Sequence, residues 1–225
     1  MAVALKEWRP KAMGPGGTSP GTVEKIGVMG GSFDPIHYGH LLAAEECRRQ
    51  LGLDRVVFVP TGTPPHKSGS IASSEDRYAM TLLATAEVRE FSVSRAEIDR
   101  PCHSHTVDTL LEFRERGRPG SEFFFITGLD ALLGIDTWKD YMRLPSLCTL
   151  VSTTRPGYSA SHVESLPDEI KLGLRLLEIP QFDVSSTGVR ARVRDGRGIR
   201  FLVPHLVERY IEKCGIYREP EVPRN

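Results

Sequence analysis

Residues 25–51 read KIGVMGGSFDPIHYGHLLAAEECRRQL, and this stretch decides the fold of the chain. The short apolar run 25–29 predicts a buried strand, and residues 40–51 predict a helix. Between them, the pair Gly30–Gly31 is expected to let the backbone turn sharply and approach a ligand closely. A strand, a glycine-containing loop and a helix N-terminus in this order are typical of a phosphate-binding site, because the free amides of a helix N-terminus attract anions.

Two histidines, His37 and His40, lie three residues apart at the predicted mouth of that helix. Each imidazole can donate a hydrogen bond to a phosphoryl oxygen, whether it is neutral or protonated. Two other interpretations stay open. The pair could ligate a metal ion, but a zinc site uses three or four protein ligands, and no second Cys or His cluster has suitable spacing. Alternatively, the histidines could simply hydrogen-bond the backbone of a turn.

A second candidate anion site lies far downstream, where residues 185–190 read SSTGVR and open a predicted helix over 187–194. Ser and Thr are natural N-caps, and the amides behind them form another anion-binding mouth. Arg190, one turn into the helix, carries a planar fork suited to phosphate. The alternative is a capped surface helix with a solvated arginine. The presence of both segments in one chain favours the anion site.

Strands and helices alternate along the rest of the chain, which predicts a single Rossmann-like α/β domain over residues 24–217. Its mostly parallel sheet is expected to be covered by helices on both faces. Ligands of such sheets bind at the carboxyl ends of the strands, where the strand order reverses. The predicted strands are 25–29, 55–59, 91–93, 122–126, 147–152 and 174–179, and the predicted helices are 40–51, 74–87, 106–116, 162–172, 187–194 and 204–213.

Composition narrows the range of partners and compartments. The 225 residues carry a formal net charge of zero, so no overall field draws the chain to nucleic acid or to anionic lipid. No apolar run has the length of a membrane span, and no signal-peptide core is present, so we expect neither a nucleic-acid nor a membrane partner. Four widely spaced cysteines are compatible with a reducing cytoplasm. Residues 1–23 and 218–225 are expected to be flexible tails, and the arginines from Arg190 to Arg200 a solvated basic face.

The segment GGSFDPIHYGH at 30–40, paired with SSTGVR, resembles the signatures of the nucleotidylyltransferase superfamily. Within it, the order of the segments between these two is similar to that of bacterial nicotinate-nucleotide adenylyltransferases. The resemblance spans about 26–217 and departs at 102–105, which read CHSH where the family usually has GPSY, and at Lys139, where an aromatic residue is common. The intermediate segments are PPHK at 64–67, TVDTL at 106–110, GLDAL at 128–132 with Trp138, and RPG at 155–157.

The resemblance implies transfer of an adenylyl group from ATP to nicotinate mononucleotide, giving nicotinate adenine dinucleotide and pyrophosphate. No Ser, Cys or Lys lies in the sequence context of a nucleophile, so we expect direct in-line attack, with Mg²⁺ carried on the ATP phosphates and few protein ligands needed for it. The implied catalytic residues are His37, His40, Lys67 and Arg190. The implied ATP-binding residues are Gly30, Gly31, Ser32, Phe33, His37, His40, Ser185, Ser186, Thr187 and Arg190. The implied nicotinate mononucleotide-binding residues are His66, Lys67, Thr106, Asp130 and Trp138.

Several of these residues also have plain structural interpretations. Lys67 could neutralise an incoming phosphate or be solvated, and Trp138 could stack on a pyridine ring or pack against the protein. Asp130 could bind a ribose or cap a helix, and Thr106 could cap its helix or offer its amide to a carboxylate. The alternative functions are the same reaction on nicotinamide mononucleotide, a sister nucleotidylyltransferase, and a non-catalytic ATP-sensing module. A homo-oligomer is compatible with the sequence.

Overall fold

The structure is a computed structural model that describes residues 23–62, 72–154, 161–180 and 182–218. Nearly all of the two predicted tails, and the segments PPHK and RPG, lie outside these residues. The strands are β1 (Lys25–Gly31), β2 (Arg55–Pro60), β3 (Phe91–Val93), β4 (Glu122–Gly128), β5 (Thr149–Thr154) and β6 (Leu174–Glu178). The helices are α1 (Tyr38–Leu51), α2 (Ser74–Thr85), α3 (Thr106–Arg116), α4 (Leu129–Leu132), α5 (Leu144–Leu147), α6 (Ser161–Glu164), α7 (Asp168–Gly173), α8 (Ser186–Arg194) and α9 (His205–Cys214), with 3₁₀ turns at Ile135–Thr137 and Tyr141–Arg143.

The described strands form one six-stranded sheet in the order β3-β2-β1-β4-β5-β6. Every pairing between them is parallel, and β1 pairs with β2 on one side and with β4 on the other. The strand order therefore reverses between β1 and β4. This arrangement confirms the predicted fold class, and it puts the loops that follow β1 and β4 side by side at the carboxyl edge of the sheet.

Both faces of the sheet are buried, because successive side chains of a strand point to opposite faces. In β2, Val56 and Phe58 pack into one core cluster, whereas Val57 and Val59 pack into the other. The helices α1, α2, α8 and α9 contribute buried residues to the first cluster, and α3, α5 and α7 to the second. Strands that are covered on both faces read as continuous apolar runs, which is the pattern seen in the sequence.

Most predicted elements match the structure to within two residues, but the predicted helix 162–172 was wrong. Two short helices, α6 and α7, occupy that region instead. Pro167 lies between them and is the N-cap of α7, with an extended ψ of 143°. A proline disfavours helical geometry at the residue before it, so a continuous helix is interrupted ahead of Pro167. The short helices between β4 and β5 were not predicted, since four-residue segments carry too little periodicity. Among the described residues, no helix is both long and apolar enough to cross a membrane.

Candidate active site

The histidine pair lies at the N-terminus of α1, as the sequence predicted. His37 is the N-cap, and its amide donates to Nδ1 of His40 at 3.3 Å. The two rings stack with their centroids 3.7 Å apart, and the ring of Phe33 meets His40 edge-on at 5.1 Å. Because Nδ1 of His40 accepts a hydrogen bond, the proton of the neutral ring is on Nε2. His40 therefore has one N–H left to donate to a ligand.

Both histidines are neutral near pH 7. Burial lowers the pKa of His37 from 6.5 to about 4. Burial lowers the pKa of His40 well below its ordinary value, and the neighbouring His37 lowers it further. Two protonated rings at stacking distance would repel each other, so the pair acts through N–H donors rather than through fixed charge. The buried Nδ1 of His37 has no hydrogen-bond partner among the described residues.

The expected role of Gly30 and Gly31 in a sharp turn was wrong. Both residues belong to β1, and neither has a positive φ; the left-handed residue is Phe33, with φ 47°. The glycines are needed for space instead. A Cβ on Gly30 would lie 3.3 Å from the ring of Phe125, and one on Gly31 would lie 3.0 Å from the ring of Phe33. Phe33 itself is 1% exposed, so its side chain is part of the core.

The downstream segment contacts the loop after β1. Ser185 caps α8 by accepting a hydrogen bond from the amide of Gly188 at 3.1 Å. The hydroxyl of Ser186 donates to the carbonyl of Pro35 at 2.9 Å. Arg190 donates through Nη1 to the carbonyl of Asp34 at 2.7 Å and through Nη2 to the hydroxyl of Thr187 at 3.2 Å. The two sequence signatures, about 150 residues apart, are therefore brought together.

These hydroxyls are already engaged with the protein, which changes how α8 can hold an anion. The first amides of a helix have no intrahelical acceptor, so the amides of Ser186 and Thr187 are the groups best suited to a phosphate. Arg190 has further N–H groups on its fork beyond the two that bind Asp34 and Thr187. The N-termini of α1 and α8 together form a cradle of hydrogen-bond donors, and Arg190 joins it to the backbone of Asp34.

Two buried residues beside the site, Asp34 and Arg77, were not assigned from the sequence. Asp34 is 1% exposed, and its Oδ1 accepts from the hydroxyl of Tyr217 at 2.7 Å and from the amide of Ala72 at 3.0 Å. Arg77, also 1% exposed, donates to the carbonyls of Ser32 at 2.8 Å and Gly62 at 2.6 Å. The available signal was weak: Asp34 lies inside the histidine motif, and Arg77 is a charged residue on the buried face of α2.

On the other side of β1, the structure brings Thr106 and Trp138 into one neighbourhood. Lys139 lies 3.4 Å from both carboxylate oxygens of Asp108 in the first turn of α3, and this contact joins the two segments. The ring of Trp138 packs edge-on against Phe125 at 6.0 Å. Since Phe125 also packs against Gly30, the indole lies next to the end of β1.

The alternative interpretation of Thr106 and Asp130 as helix N-caps was wrong. His105 is the N-cap of α3, and Thr106 is its first residue, so the amide of Thr106 lacks an intrahelical acceptor. Gly128 is the N-cap of α4, whereas Asp130 is an exposed residue within it. No contact between described residues joins Asp130 to Thr106 or Trp138. His66 and Lys67 lie outside the described residues.

The arginines that follow Arg190 are engaged locally. Arg192 donates to the carbonyl of Gly198 at 2.8 Å, and Arg194 and Arg197 both pair with Asp195, at 3.4 and 2.9 Å. In the described parts of the chain, no group of three or more His, Cys, Asp or Glu side chains is arranged to hold a metal ion.

The chain matches a known family model and curated relatives over most of its length. The family model described as cytidylyltransferase-like matches residues 28–192. A relative from Moorella thermoacetica is 47% identical over 206 residues, which cover 89% of this chain and 94% of the relative. A relative from Thermus thermophilus is 52% identical over 194 residues, which cover 86% and 100%. Both carry the name probable nicotinate-nucleotide adenylyltransferase.

A solved structure supports the fold. The Plasmodium falciparum nicotinic acid mononucleotide adenylyltransferase, complexed with NaAD, superposes with a TM-score of 0.70 at 20% identity, covering 86% of this chain and 97% of that one. This likeness concerns the architecture, whereas the two sequence relatives exceed 45% identity over nearly their whole length. The chain belongs to the nicotinate-nucleotide adenylyltransferase family of cytidylyltransferase-like proteins.

Proposed function

We propose that this chain transfers the adenylyl group of ATP to nicotinate mononucleotide, releasing pyrophosphate and nicotinate adenine dinucleotide for NAD biosynthesis. The observation that carries the proposal is the meeting of the two signature segments, in which Ser186 binds the carbonyl of Pro35 and Arg190 binds that of Asp34. This contact combines two helix N-termini, a neutral histidine pair and a guanidinium around one cradle. Such a cradle has the charge and the hydrogen-bond donors that a triphosphate requires.

The chemistry needs no covalent intermediate. An oxygen of the 5′-phosphate of the mononucleotide attacks the α-phosphorus of ATP, and the bond from that phosphorus to the bridging oxygen of pyrophosphate breaks. Phosphoryl transfer of this kind depends on positioning and on stabilisation of charge. The Nε2–H of His40 donates to a phosphoryl oxygen as charge develops, and His37 adds a second donor. Arg190 and the amides of Ser186 and Thr187 hold the leaving β- and γ-phosphates.

The glycine pair and the neighbouring backbone complete the proposed ATP site. Gly30 and Gly31 leave space beside the aromatic rings of Phe125 and Phe33. Ser32 and Phe33 contribute their backbone, since the Phe33 side chain is buried and the Ser32 carbonyl is held by Arg77. The hydroxyl of Ser185 supports the site indirectly, by capping α8.

We assign the mononucleotide to the side of β1 where Thr106 and Trp138 lie. The free amide of Thr106 suits a carboxylate, because helix N-termini attract anions, and the indole of Trp138 suits a flat pyridinium ring. The exposed carboxylate of Asp130 suits ribose hydroxyls. From the family resemblance, His66 and Lys67 would face the 5′-phosphate, and Lys67 would neutralise part of its charge.

We propose that ATP binds as its Mg²⁺ complex, in which the phosphates supply the ligands. Among the described residues, no group of side chains is arranged to hold the ion, and Mg²⁺ is often bound through substrate phosphates with few protein ligands.

We also propose that the reaction takes place in the cytoplasm. The four cysteines are free thiols, which is the usual state in a reducing compartment.

Release of pyrophosphate, measured with Mg²⁺-ATP and one mononucleotide at a time, tests the proposal. We expect a larger kcat/KM with nicotinate than with nicotinamide mononucleotide, because backbone donors at a helix N-terminus favour a carboxylate over an amide. Equal values would contradict the assignment of the acid. Binding of ATP without release of pyrophosphate in the presence of either mononucleotide would instead favour a sensing module.

A further inference from the structure

Tyr217, a buried tyrosine near the end of the described chain, contacts Asp34 in the loop between β1 and α1. Tyr217 follows α9 with a left-handed φ of 67° and is 7% exposed. Its hydroxyl donates to Oδ1 of Asp34 at 2.7 Å, and the amide of Ala72 donates to the same oxygen at 3.0 Å. Burial and the Asp34 carboxylate raise the pKa of Tyr217 well above its ordinary range. The hydroxyl therefore keeps its proton and remains a donor near neutral pH.

Asp34 lies between this tyrosine and the arginine proposed to bind the triphosphate. Nη1 of Arg190 donates to the Asp34 carbonyl at 2.7 Å and is 3.7 Å from the carboxylate oxygen Oδ2. Because Tyr217 and Ala72 both donate to Oδ1, Oδ2 is the oxygen that faces the guanidinium. Arg77 binds the same loop by donating a hydrogen bond to the carbonyl of Ser32.

A carboxylate beside Arg190 competes with the triphosphate for the guanidinium. Two hydrogen bonds to Oδ1 draw charge away from Oδ2 and prevent the carboxylate from rotating into a bidentate pair with the fork. We propose that Tyr217 is a positioning residue for ATP binding, and that it acts through Asp34 on the guanidinium of Arg190. This inference rests on the proposed role of Arg190 at the triphosphate.

The test compares Tyr217→Phe, which keeps the buried ring and removes the hydroxyl, with the unchanged chain. We expect the KM for ATP to rise by about 3- to 10-fold, the range set by the net contribution of one hydrogen bond. The KM for nicotinate mononucleotide should change by less than about twofold, since Tyr217 acts on the triphosphate side. A merely structural loss would affect both substrates.

Tyr210→Phe is the matched control. The hydroxyl of Tyr210 donates to Asp76 at 2.9 Å and joins α9 to α2, and no contact between described residues joins Asp76 to Arg190. We expect this variant to leave the KM for ATP unchanged. If Tyr210→Phe raises it as much as Tyr217→Phe does, the effect comes from a loosened α9 and the inference is wrong.

A double variant separates this inference from the proposed function. In an Arg190→Lys background, Tyr217→Phe should change the KM for ATP by less than about twofold. Lysine lacks the planar guanidinium that faces Oδ2 of Asp34, so the hydroxyl of Tyr217 has no such group to act on. If Arg190→Lys alone leaves that KM unchanged, the role of Arg190 fails, and this inference fails with it. If Arg190→Lys raises the KM but Tyr217→Phe has an equal effect in both backgrounds, only the role of Tyr217 is overturned. Calorimetric ATP dissociation constants at low temperature give the same comparison if a variant melts below the assay temperature.

Discussion

At the scale of single residues, His40 has the most sharply defined role. Its Nδ1 accepts from the amide of His37, so Nε2–H is the donor available to a ligand. A neutral donor adds little to ground-state binding of ATP, but its hydrogen bond strengthens as negative charge develops on the phosphoryl oxygens. The three-residue spacing of the histidines is therefore what lets the backbone amide of His37 orient the His40 ring.

We predict that His40→Asn lowers kcat by about a hundredfold or more, with a much smaller change in the KM for ATP. The amide oxygen of asparagine can replace Nδ1 as acceptor for His37, so the N-terminus of α1 should be preserved, whereas the Nε2–H donor is lost. Turnover and ATP affinity, measured beside a circular dichroism spectrum, check this prediction. Turnover close to that of the unchanged chain would remove His40 from the mechanism.

Arg190→Ala should behave differently from the histidine variant. Its positive charge meets the triphosphate already in the ground state, so we expect both a higher KM for ATP and a lower kcat. The same assays distinguish the two residues. An Arg190→Ala chain that loses kcat alone would show that the guanidinium acts only in the transition state.

The buried histidines also predict how stability depends on pH. The pKa of His37 is about 4 in the folded, ligand-free chain and about 6.5 when unfolded. Between these values the unfolded chain binds the proton and the folded chain does not, so the free energy of unfolding decreases as the pH falls through this window. We expect a loss of about 2–3 kcal/mol from His37, with His40 contributing in the same direction.

Urea unfolding at several pH values checks this expectation. His37→Asn should flatten the decrease in the free energy of unfolding below about pH 6.5, because asparagine does not titrate. The matched control is His205→Asn, which changes an exposed histidine at the start of α9 and should leave the decrease intact. The same acid slope in His37→Asn as in the unchanged chain would contradict a buried neutral His37.

At the scale of elements, the site depends on how two helix N-termini are set against one loop. α1 begins at the histidine pair, and α8 is tied to the loop by Ser186 and Arg190. Gly39 makes this approach feasible, because a Cβ there would lie 3.1 Å from both the His37 ring and Val184. If α8 binds the triphosphate as proposed, its position should affect ATP binding as well as stability.

We predict that Ser185→Ala, which removes the N-cap of α8, lowers the free energy of unfolding by about 1 kcal/mol and raises the KM for ATP. Ser73→Ala is the matched control, since Ser73 caps α2 through the amide of Asp76 at 3.1 Å. It should cost about as much stability and leave that KM unchanged. An equal rise in both variants would mean that the KM reports general loosening rather than the position of α8.

At the scale of the whole molecule, the reversal of strand order between β1 and β4 creates the crevice. Phe125 in β4 packs against Gly30 on one side and Trp138 on the other, so the sheet itself joins the ATP side to the mononucleotide side. In the proposed function, the two substrates that react in line would be held against this one rigid element. Sites placed on rigid elements keep reacting groups in register.

The N-terminal tail provides a prediction at this scale. The described chain is anchored from Glu24, whose carbonyl accepts the amide of Glu122 at 2.9 Å. Residues 1–20 lack apolar periodicity, so their deletion should leave kcat and the melting temperature essentially unchanged. Kinetics and thermal unfolding of the shortened chain check this. A loss of more than about 1 kcal/mol would show that the tail docks on the domain.

Local chemistry explains which features were predictable from the sequence. The bounds of β3 and α3 were predicted to the residue, and the histidines were placed correctly at the start of α1, because apolar periodicity and helix-start signals act over a few neighbouring residues. The parallel sheet followed from the alternation of strands and helices. The meeting of the two signature segments was expected from the family resemblance.

By itself, the sequence determined most of the strands and long helices and the fold class, because these follow from short-range patterns, and it predicted that the N-termini of α1 and α8 bind an anion. The tertiary structure alone decided that Gly30 provides space rather than a turn, that Lys139 faces Asp108, and that Tyr217 holds Asp34 from 183 residues away. Such contacts depend on strand order and on how helices pack across the sheet. No local pattern encodes which distant side chain will fill a given gap, since close packing is satisfied only when the whole core assembles.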